Sequence, residues 1–161
     1  MKLIVTDLEN LSFPVSGECR VISPDEKLTQ CMGCFGCWLK TPGKCVINDG
    51  YEMLGAEWGK CDEAVFISRC TYGSLSPFVK NVLDRSLAYV HPDFEMRLGE
   101  MHHKRRYDNS IKCSFYFYGD TTDAEKTTAK NVMQAFMDNF CGEIKDIRFF
   151  DSLEEMEGIE L

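Results

Sequence analysis

Apolar residues along the chain form short runs whose length and composition are typical of β-strands. Four such runs, rich in β-branched and aromatic residues, cover residues 3–6, 64–68, 111–118 and 144–150, and a weaker one covers residues 20–23. The run at 64–68 is apolar without interruption, which is typical of a strand covered on both faces. The pattern therefore predicts about five strands.

Before the last strand, the apolar spacing changes to that of a helix. Apolar residues recur there at intervals of three and four: Ala129, Val132, Met133, Phe136, Met137 and Phe140. Thr122 and Glu125 have the spacing of a capping box, and Gly142 is well placed to end the helix. This is the clearest amphipathic helix in the sequence.

Two other segments favour shorter helices. Ser76 can cap the free amides of a helix that Pro77 opens. Residues 51–60 predict a short helix that Gly55 weakens. Residues 86–109 contain Pro92, Gly99 and mixed charge, so we expect an irregular segment there.

Strands that alternate with helices predict an α/β fold, with a mostly parallel sheet and helices on both faces. No repeat, low-complexity tract or linker divides the chain, so residues 1–161 are expected to form one domain. Ligands of such sheets bind beyond the C-terminal ends of the strands. The loops after Thr6, Ser68 and Tyr118 are therefore the first places to look for a site.

The charge balance narrows the function classes. The net charge is −8 and the pI is about 4.9, whereas surfaces that bind nucleic acid are basic. The single basic cluster, at residues 102–106, is too small to indicate a nucleic-acid partner. No apolar run approaches the roughly 20 residues that cross a bilayer, and the start of the chain has the pattern of a strand rather than of an export signal. We therefore expect a cytoplasmic protein with no membrane partner.

Nine cysteines are many for 161 residues, and in a reducing compartment clustered cysteines more often bind metal or do redox work than form disulfides. Four follow the pattern C-x2-C-x2-C-x7-C in a loop at residues 30–50: Cys31, Cys34, Cys37 and Cys45. Four thiolates in one flexible loop can enclose a four-iron cluster. Zinc, which more often uses two separated cysteine pairs, and unligated thiols are the alternatives. The other five are interpreted as packing residues, with Cys70 as the one exception to consider: Cys19, Cys61, Cys70, Cys113 and Cys141.

The stretch C-x-G-C-x-x-C-W-x-K-T-P-G-x-C-x-x-x-D, from Cys31 to Asp49, resembles a signature of the NADPH-dependent FMN reductase-like and iron–sulfur flavoprotein families. Further similar segments are the flavin loop at 72–76, the helix positions Lys80, Asp84 and Arg85, and the segments 101–107 and 118–120. The likeness extends over roughly residues 28–150.

This resemblance implies a flavodoxin-like fold with strand order 2-1-3-4-5 and an FMN cofactor. The flavin ring would be held by the loop after strand three: Cys70, Thr71, Tyr72, Gly73 and Ser74. Tyr118, Gly119 and Asp120 would flank the ring from the next loop. In the iron–sulfur members the compact cysteine motif holds a four-iron cluster. The sequence has no second nucleotide motif, so NAD(P)H would stack directly over the flavin.

The segment at residues 7–18 departs from the family pattern. The phosphate-binding loop and the first helix belong there, but Pro14 interrupts the segment, and Asp7, Glu9 and Glu18 bring negative charge to the phosphate position. We therefore expect helix one to be missing or vestigial. A hairpin between the first two strands then becomes the alternative to a parallel crossover.

Two functions follow as hypotheses. The first is a flavin-dependent oxidoreductase or electron-transfer protein. The alternative is a degenerate, non-catalytic subunit that pairs with a full-length relative, and a structural zinc or thiol-switch protein is the third interpretation. We expect a homo-oligomer, or a hetero-oligomer with a relative. Asp84 and Arg85 are expected to form an ion pair, and His102 and His103 to be structural.

Overall fold

A computed structural model of the protein describes residues 1–24, 27–159 and 161. Its strands, in chain order, are β1 (Lys2–Thr6), β2 (Cys19–Ile22), β3 (Glu63–Arg69), β4 (Val90–Arg97), β5 (Glu100–Arg105), β6 (Lys112–Tyr118) and β7 (Glu143–Phe150). Five of them form one parallel sheet in the order β2-β1-β3-β6-β7. Since β6 and β7 are the fourth and fifth strands of this sheet, the order is the predicted 2-1-3-4-5. The chain has the flavodoxin-like α/β fold.

The α-helices are α1 (Gly36–Leu39), α2 (Leu54–Trp58), α3 (Pro77–Arg85) and α4 (Asp123–Phe140), with 3-10 turns at Leu87–Tyr89 and Glu154–Met156. Helix α4 begins with the predicted capping box, in which the Thr122 hydroxyl and the Glu125 carboxylate each accept from the other residue's amide. Its last residue is Phe140, and its C-cap is Cys141, one residue before the predicted Gly142. Cys141 takes the left-handed conformation with φ 57°. None of the described helices has the length and apolarity to cross a bilayer.

The connection between β1 and β2 contains no helix, as the sequence predicts. The two strands nevertheless pair in parallel, so the antiparallel hairpin considered from the sequence is wrong. The connection instead packs its own apolar side chains against the sheet: Leu8, Leu11, Phe13 and Val15. A parallel crossover therefore forms here without a helix, because the loop itself covers apolar side chains of the interior strands on this face.

Both faces of the sheet are apolar, but the four α-helices pack on only one. On the helical face, Phe66 and Phe115 stack at 4.8 Å beneath Trp58 and Phe136. On the second face, Ile4, Val65, Ile67 and Tyr116 contact the 7–18 connection and the segment after β7. The prediction of helices on both faces is therefore corrected: among the described residues, the second face carries loops and the 3-10 turn Glu154–Met156.

The segment at 86–109, expected to be irregular, consists of a 3-10 turn followed by the antiparallel hairpin of β4 and β5. Its tight turn places Leu98 and Gly99 at φ 56° and 79°, as a two-residue hairpin turn requires. The hairpin stands apart from the sheet and leaves large apolar side chains exposed: Phe94, Met96, Leu98 and Met101. The strict alternation of apolar and polar residues from Phe94 to Leu98 is the local signal that could have predicted it.

Candidate functional site

The loops after β3 and β6 meet at the C-terminal edge of the sheet. The Cys70 amide donates to the Tyr118 carbonyl at 3.0 Å, and the Gly119 amide donates to the Phe150 carbonyl at 3.0 Å. The structure therefore brings together segments 70–74 and 118–120, the two loops that the family resemblance assigns to the flavin ring.

The loop at 70–74 is a tight turn with an exposed tip. Thr71 and Ser74 exchange two backbone hydrogen bonds at 2.9 and 3.0 Å, while Tyr72 and Gly73 take φ values of 52° and 71°. A Cβ at Gly73 would lie 2.8 Å from the Thr128 Cβ, so glycine lets the turn pack on α4. The Tyr72 ring is 91% exposed, and the amides of Tyr72 and Gly73 find no acceptor within the described part of the chain. Two free donors and one free aromatic ring thus stand at this edge.

The first turn of α3 follows this loop directly and has no side-chain cap. Ser76 occupies the N-cap position, but its buried hydroxyl makes no hydrogen bond, so the predicted side-chain cap is wrong. The Ser76 amide instead donates to the Ser68 hydroxyl at 2.8 Å. The partial positive charge of the helix N-terminus is therefore left without a side-chain acceptor.

Asp7 occupies the position where the family pattern places a phosphate. Its carboxylate accepts from the Arg69 amide at 2.9 Å and from the Tyr118 hydroxyl at 3.0 Å. Burial and the Asp7 charge raise the pKa of Tyr118 to about 12, which keeps the phenol a neutral donor. Asp7 lies between β1 and β3, where the strand order reverses and sheets of this type bind ligands. A fixed negative charge there opposes a phosphate.

The four cysteines of the motif line one cavity in the structure. Cys31 and Cys34 are exposed, and Cys37 and Cys45 are half-buried. Burial raises the pKa of the Cys37 thiol, and the nearby thiols of Cys45, Cys31 and Cys34 raise it further. The Cys37 thiol therefore lies close to the other three thiols of the motif.

The arrangement of these thiols distinguishes two kinds of metal site. No three His, Cys, Asp or Glu side chains among the described residues are placed to hold a single metal ion. The zinc interpretation thus lacks geometric support, because zinc needs its ligands within about 2.0–2.3 Å of one point. A four-iron cluster instead takes one thiolate on each iron, so its cysteines surround a cavity. The donor set and its placement around one cavity fit that requirement.

Helix α3 anchors both ends of the cysteine loop. The Asn81 side chain accepts from the Cys31 amide at 3.0 Å. The Arg85 guanidinium donates to the Thr29 carbonyl at 2.7 Å and to both Asp49 oxygens, at 2.7 and 2.9 Å. From the sequence, Asp49 and Arg85 belong to two separate similar segments, and Arg85 is expected to pair with Asp84. Asn81 is not predicted as a site residue, since an Asn on a helix carries no local signal.

The predicted ion pair between Asp84 and Arg85 is wrong. Asp84 pairs with Lys80, one turn earlier on the exposed side of α3. Arg85 points inward to Asp49, because neighbouring residues on a helix lie about 100° apart and do not face the same side.

A row of four rings in contact links the cysteine loop to the hairpin. The centroid distances are 5.6 Å from Phe35 to Trp38, 4.8 Å from Trp38 to His103 and 4.5 Å from His103 to Phe94. The His103 Nδ1 also makes a 2.8 Å hydrogen bond with the His91 carbonyl. His103 therefore has a packing role, in line with the structural interpretation of this histidine pair.

The loop at 70–74 and the cysteine cavity lie at opposite ends of α3. The loop at 70–74 precedes the first turn of the helix, whereas Arg85, its last residue, lines the cavity. Nine residues at 1.5 Å each make the helix about 13 Å long. One short helix thus fixes the spacing of the two candidate sites.

Comparison with solved structures finds a similar fold in the crystal structure of an FMN-dependent NADH-azoreductase from Bacillus anthracis str. Ames Ancestor in complex with FMN. The TM-score is 0.52 at 8% sequence identity, over 93% of this chain and 87% of the azoreductase chain. At this identity the likeness establishes the fold alone. No family model and no curated protein matches the chain.

Proposed function

We propose that the protein is a flavin-dependent oxidoreductase or electron-transfer protein that binds FMN at the C-terminal edge of the sheet, with NAD(P)H as electron donor. The observation that carries this proposal is the meeting of loops 70–74 and 118–120 at that edge. The fold likeness supports it, since the azoreductase is an FMN-dependent enzyme with the same arrangement over 93% of this chain.

The residues at the edge have defined tasks in this proposal. The free amides of Tyr72 and Gly73 donate hydrogen bonds to the polar rim of the flavin ring, and the exposed Tyr72 ring covers part of its apolar face. Gly119, at φ 103°, leaves room for the Arg69 side chain, since a Cβ there would lie 3.4 Å from the Arg69 Nη1. Bound FMN supplies the capacity to accept a hydride and to release electrons singly.

The phosphate end of FMN is the weak part of this site. Asp7 brings a negative charge, and no described helix begins in residues 7–18 to offer free amides. We therefore expect riboflavin, which lacks the phosphate, to bind at least as well as FMN.

Flavin titrations of the wild type, Asp7→Asn and Glu9→Gln test this proposal. Glu9 is an exposed acid on the same loop with no recorded partner, so it controls for the general loss of one negative charge. Asp7→Asn should strengthen FMN binding about fivefold, the effect of roughly 1 kcal/mol from one nearby charge, and should leave riboflavin binding unchanged. A wild-type protein whose absorption and fluorescence ignore both flavins would contradict the proposal.

We further propose that Cys31, Cys34, Cys37 and Cys45 hold a four-iron cluster. Such a cluster, when bound, supplies single-electron steps. The protein contributes four thiols around one cavity, at the far end of the helix that carries the flavin loop. Iron and sulfide assays on oxygen-free protein should find both elements in the wild type and in Cys61→Ser, whose thiol is buried elsewhere, but not in Cys37→Ser. Wild-type protein without iron would contradict this part.

One observation favours a second function, that of a non-catalytic partner subunit. The Asp7 carboxylate accepts two hydrogen bonds at the ligand-binding edge of the sheet. It thereby uses donors that a bound phosphate could otherwise take, which suits a subunit that binds no FMN. The exposed apolar side chains of the β4–β5 hairpin offer a surface for a partner chain. A colourless protein that binds neither flavin but elutes as a complex with a longer relative would favour this function.

A further inference from the structure

The side chain of Arg85 is fully buried and forms part of the wall of the cysteine cavity. A buried guanidinium is costly unless it is paired, and Asp49, itself 8% exposed, supplies the counter-charge through a two-pronged ion pair. Apolar residues could fill the same space without that desolvation cost. The presence of a full positive charge at this cavity therefore needs a reason beyond packing.

The Nε of this guanidinium is left without a hydrogen bond. Nη1 donates to Thr29 and Asp49, and Nη2 donates to Asp49, but the buried Nε–H has no hydrogen-bond partner among the described residues. Cys45, the last cysteine of the motif, lines the same cavity as Arg85. A buried donor without a partner thus belongs to a residue in the wall of the cavity that the thiols face.

The surroundings of the cavity otherwise disfavour negative charge. The C-terminal end of α3 carries a partial negative charge, and Arg85 is the basic residue of its last turn. The carboxylate-bearing residue Asp84 also lines the cavity. Arg85 is the one cationic residue among the described residues that line it, so it is placed to offset the charge of thiolates there.

We infer that Arg85 is a positioning residue for the four-thiolate site, and that its Nε–H donates to a sulfur of the group that the four cysteines hold. This inference rests on the proposed function, because it presupposes the cluster. Asp49 and Thr29 fix the plane of the guanidinium and leave its Nε–H available as a donor. Removal of the charge should weaken retention of the cluster and make its reduced form less stable.

The test compares four full-length proteins, each reconstituted with ferrous iron and sulfide without oxygen: wild type, Arg85→Lys, the double variant Asp49→Asn with Arg85→Gln, and the control Arg148→Gln. The double variant removes both buried charges together, so neither is left unpaired. Arg148 is more than half exposed, pairs with Asp146 on β7 and does not line the cavity. Iron retention against a chelator and the midpoint potential from an optical redox titration are measured, with circular dichroism to verify folding.

We expect the double variant to lose iron about 10- to 100-fold more readily than wild type, as loss of an outer-shell partner does, and to have a more negative midpoint potential. Arg85→Lys keeps a charge without the Nε–H and should fall between wild type and the double variant, while Arg148→Gln should match wild type. A folded double variant with unchanged retention and potential would overturn the inference and leave the cluster proposal intact. Wild-type protein that takes up no iron would overturn both.

Discussion

The Arg85 guanidinium donates two hydrogen bonds, of 2.7 and 2.9 Å, to the carboxylate of Asp49, which lies 36 residues earlier in the sequence. Asp49 is the last residue of the cysteine motif, and Arg85 is the last residue of α3, the helix that follows the loop at 70–74. Both side chains are almost completely buried, so solvent screens their interaction little. The pair connects the cysteine loop, in which α1 is the one described helix, to α3.

Loss of the Asp49 charge should destabilise the fold strongly. Asp49→Asn leaves the buried Arg85 charge unpaired, which typically costs about 3–5 kcal/mol. The exposed pair of Lys80 with Asp84 provides the matched control, and Asp84→Asn should cost about 0.5 kcal/mol or less. Urea unfolding of the two variants measures both values. Equal costs would show that the buried pair contributes no more than the surface pair.

The same pair predicts how stability depends on pH. The hydrogen bonds from Arg85 hold the pKa of Asp49 well below its usual value, whereas in the unfolded chain it returns to about 3.9. A carboxyl with a lowered folded pKa contributes stability that is complete above the unfolded pKa and is lost as the pH falls toward the folded one. The stability gap between wild type and Asp49→Asn should therefore stay constant from pH 7 to 5 and shrink by about 1 kcal/mol at pH 3. Urea midpoints across this range check the trend, and a gap that closes between pH 7 and 5 would point to another group.

Gly55 should resist substitution although it lies in a helix. Alanine favours helix by about 1 kcal/mol over glycine, which alone would make Gly55→Ala stabilising. A Cβ at this position, however, would lie 2.7 Å from the Tyr89 amide nitrogen and 2.8 Å from the Ala88 carbonyl carbon, and backbone atoms do not move aside easily. We expect Gly55→Ala to lower the thermal unfolding midpoint. The control is Gly99→Ala in the open hairpin turn, which carries backbone strain at φ 79° but meets no neighbour within 4 Å. A milder effect at Gly55 than at Gly99 would refute the close contact.

The cysteines should differ in reactivity according to burial. Burial raises the pKa of the Cys61 thiol to about 11 and that of the Cys113 thiol further still, so both are protonated at pH 8. Cys31 and Cys34 are exposed. In metal-free protein, iodoacetamide at pH 8 should modify Cys31 and Cys34 well before Cys61 and Cys113, as peptide mass spectrometry can show. Addition of denaturant is the control, since it should make all four react alike.

The strands and α4 could be predicted because their signals are local. Continuous apolar runs specified β1, β3 and β6, and the intervals of three and four specified α4. The alternation of these elements predicted the α/β class, and the family resemblance predicted the strand order. The motif placed four thiols in one flexible loop, whose glycines give the backbone the freedom to turn successive thiols toward one centre.

Only the tertiary structure decided which residues meet across the chain. Asp7 and Tyr118 are 111 residues apart, and their hydrogen bond depends on the adjacency of strand ends in the folded sheet. Arg85 could be recognised as a helix residue, but the rotation of α3 on the sheet turned it toward Asp49 instead of Asp84. Periodicity reports that a position is buried without reporting what covers it. The sequence by itself therefore determined the strands and the main helix, and its family resemblance predicted the sheet order, whereas packing decided the ion pairs, the hydrogen bonds of Asp7 and the absence of described α-helices from the second face.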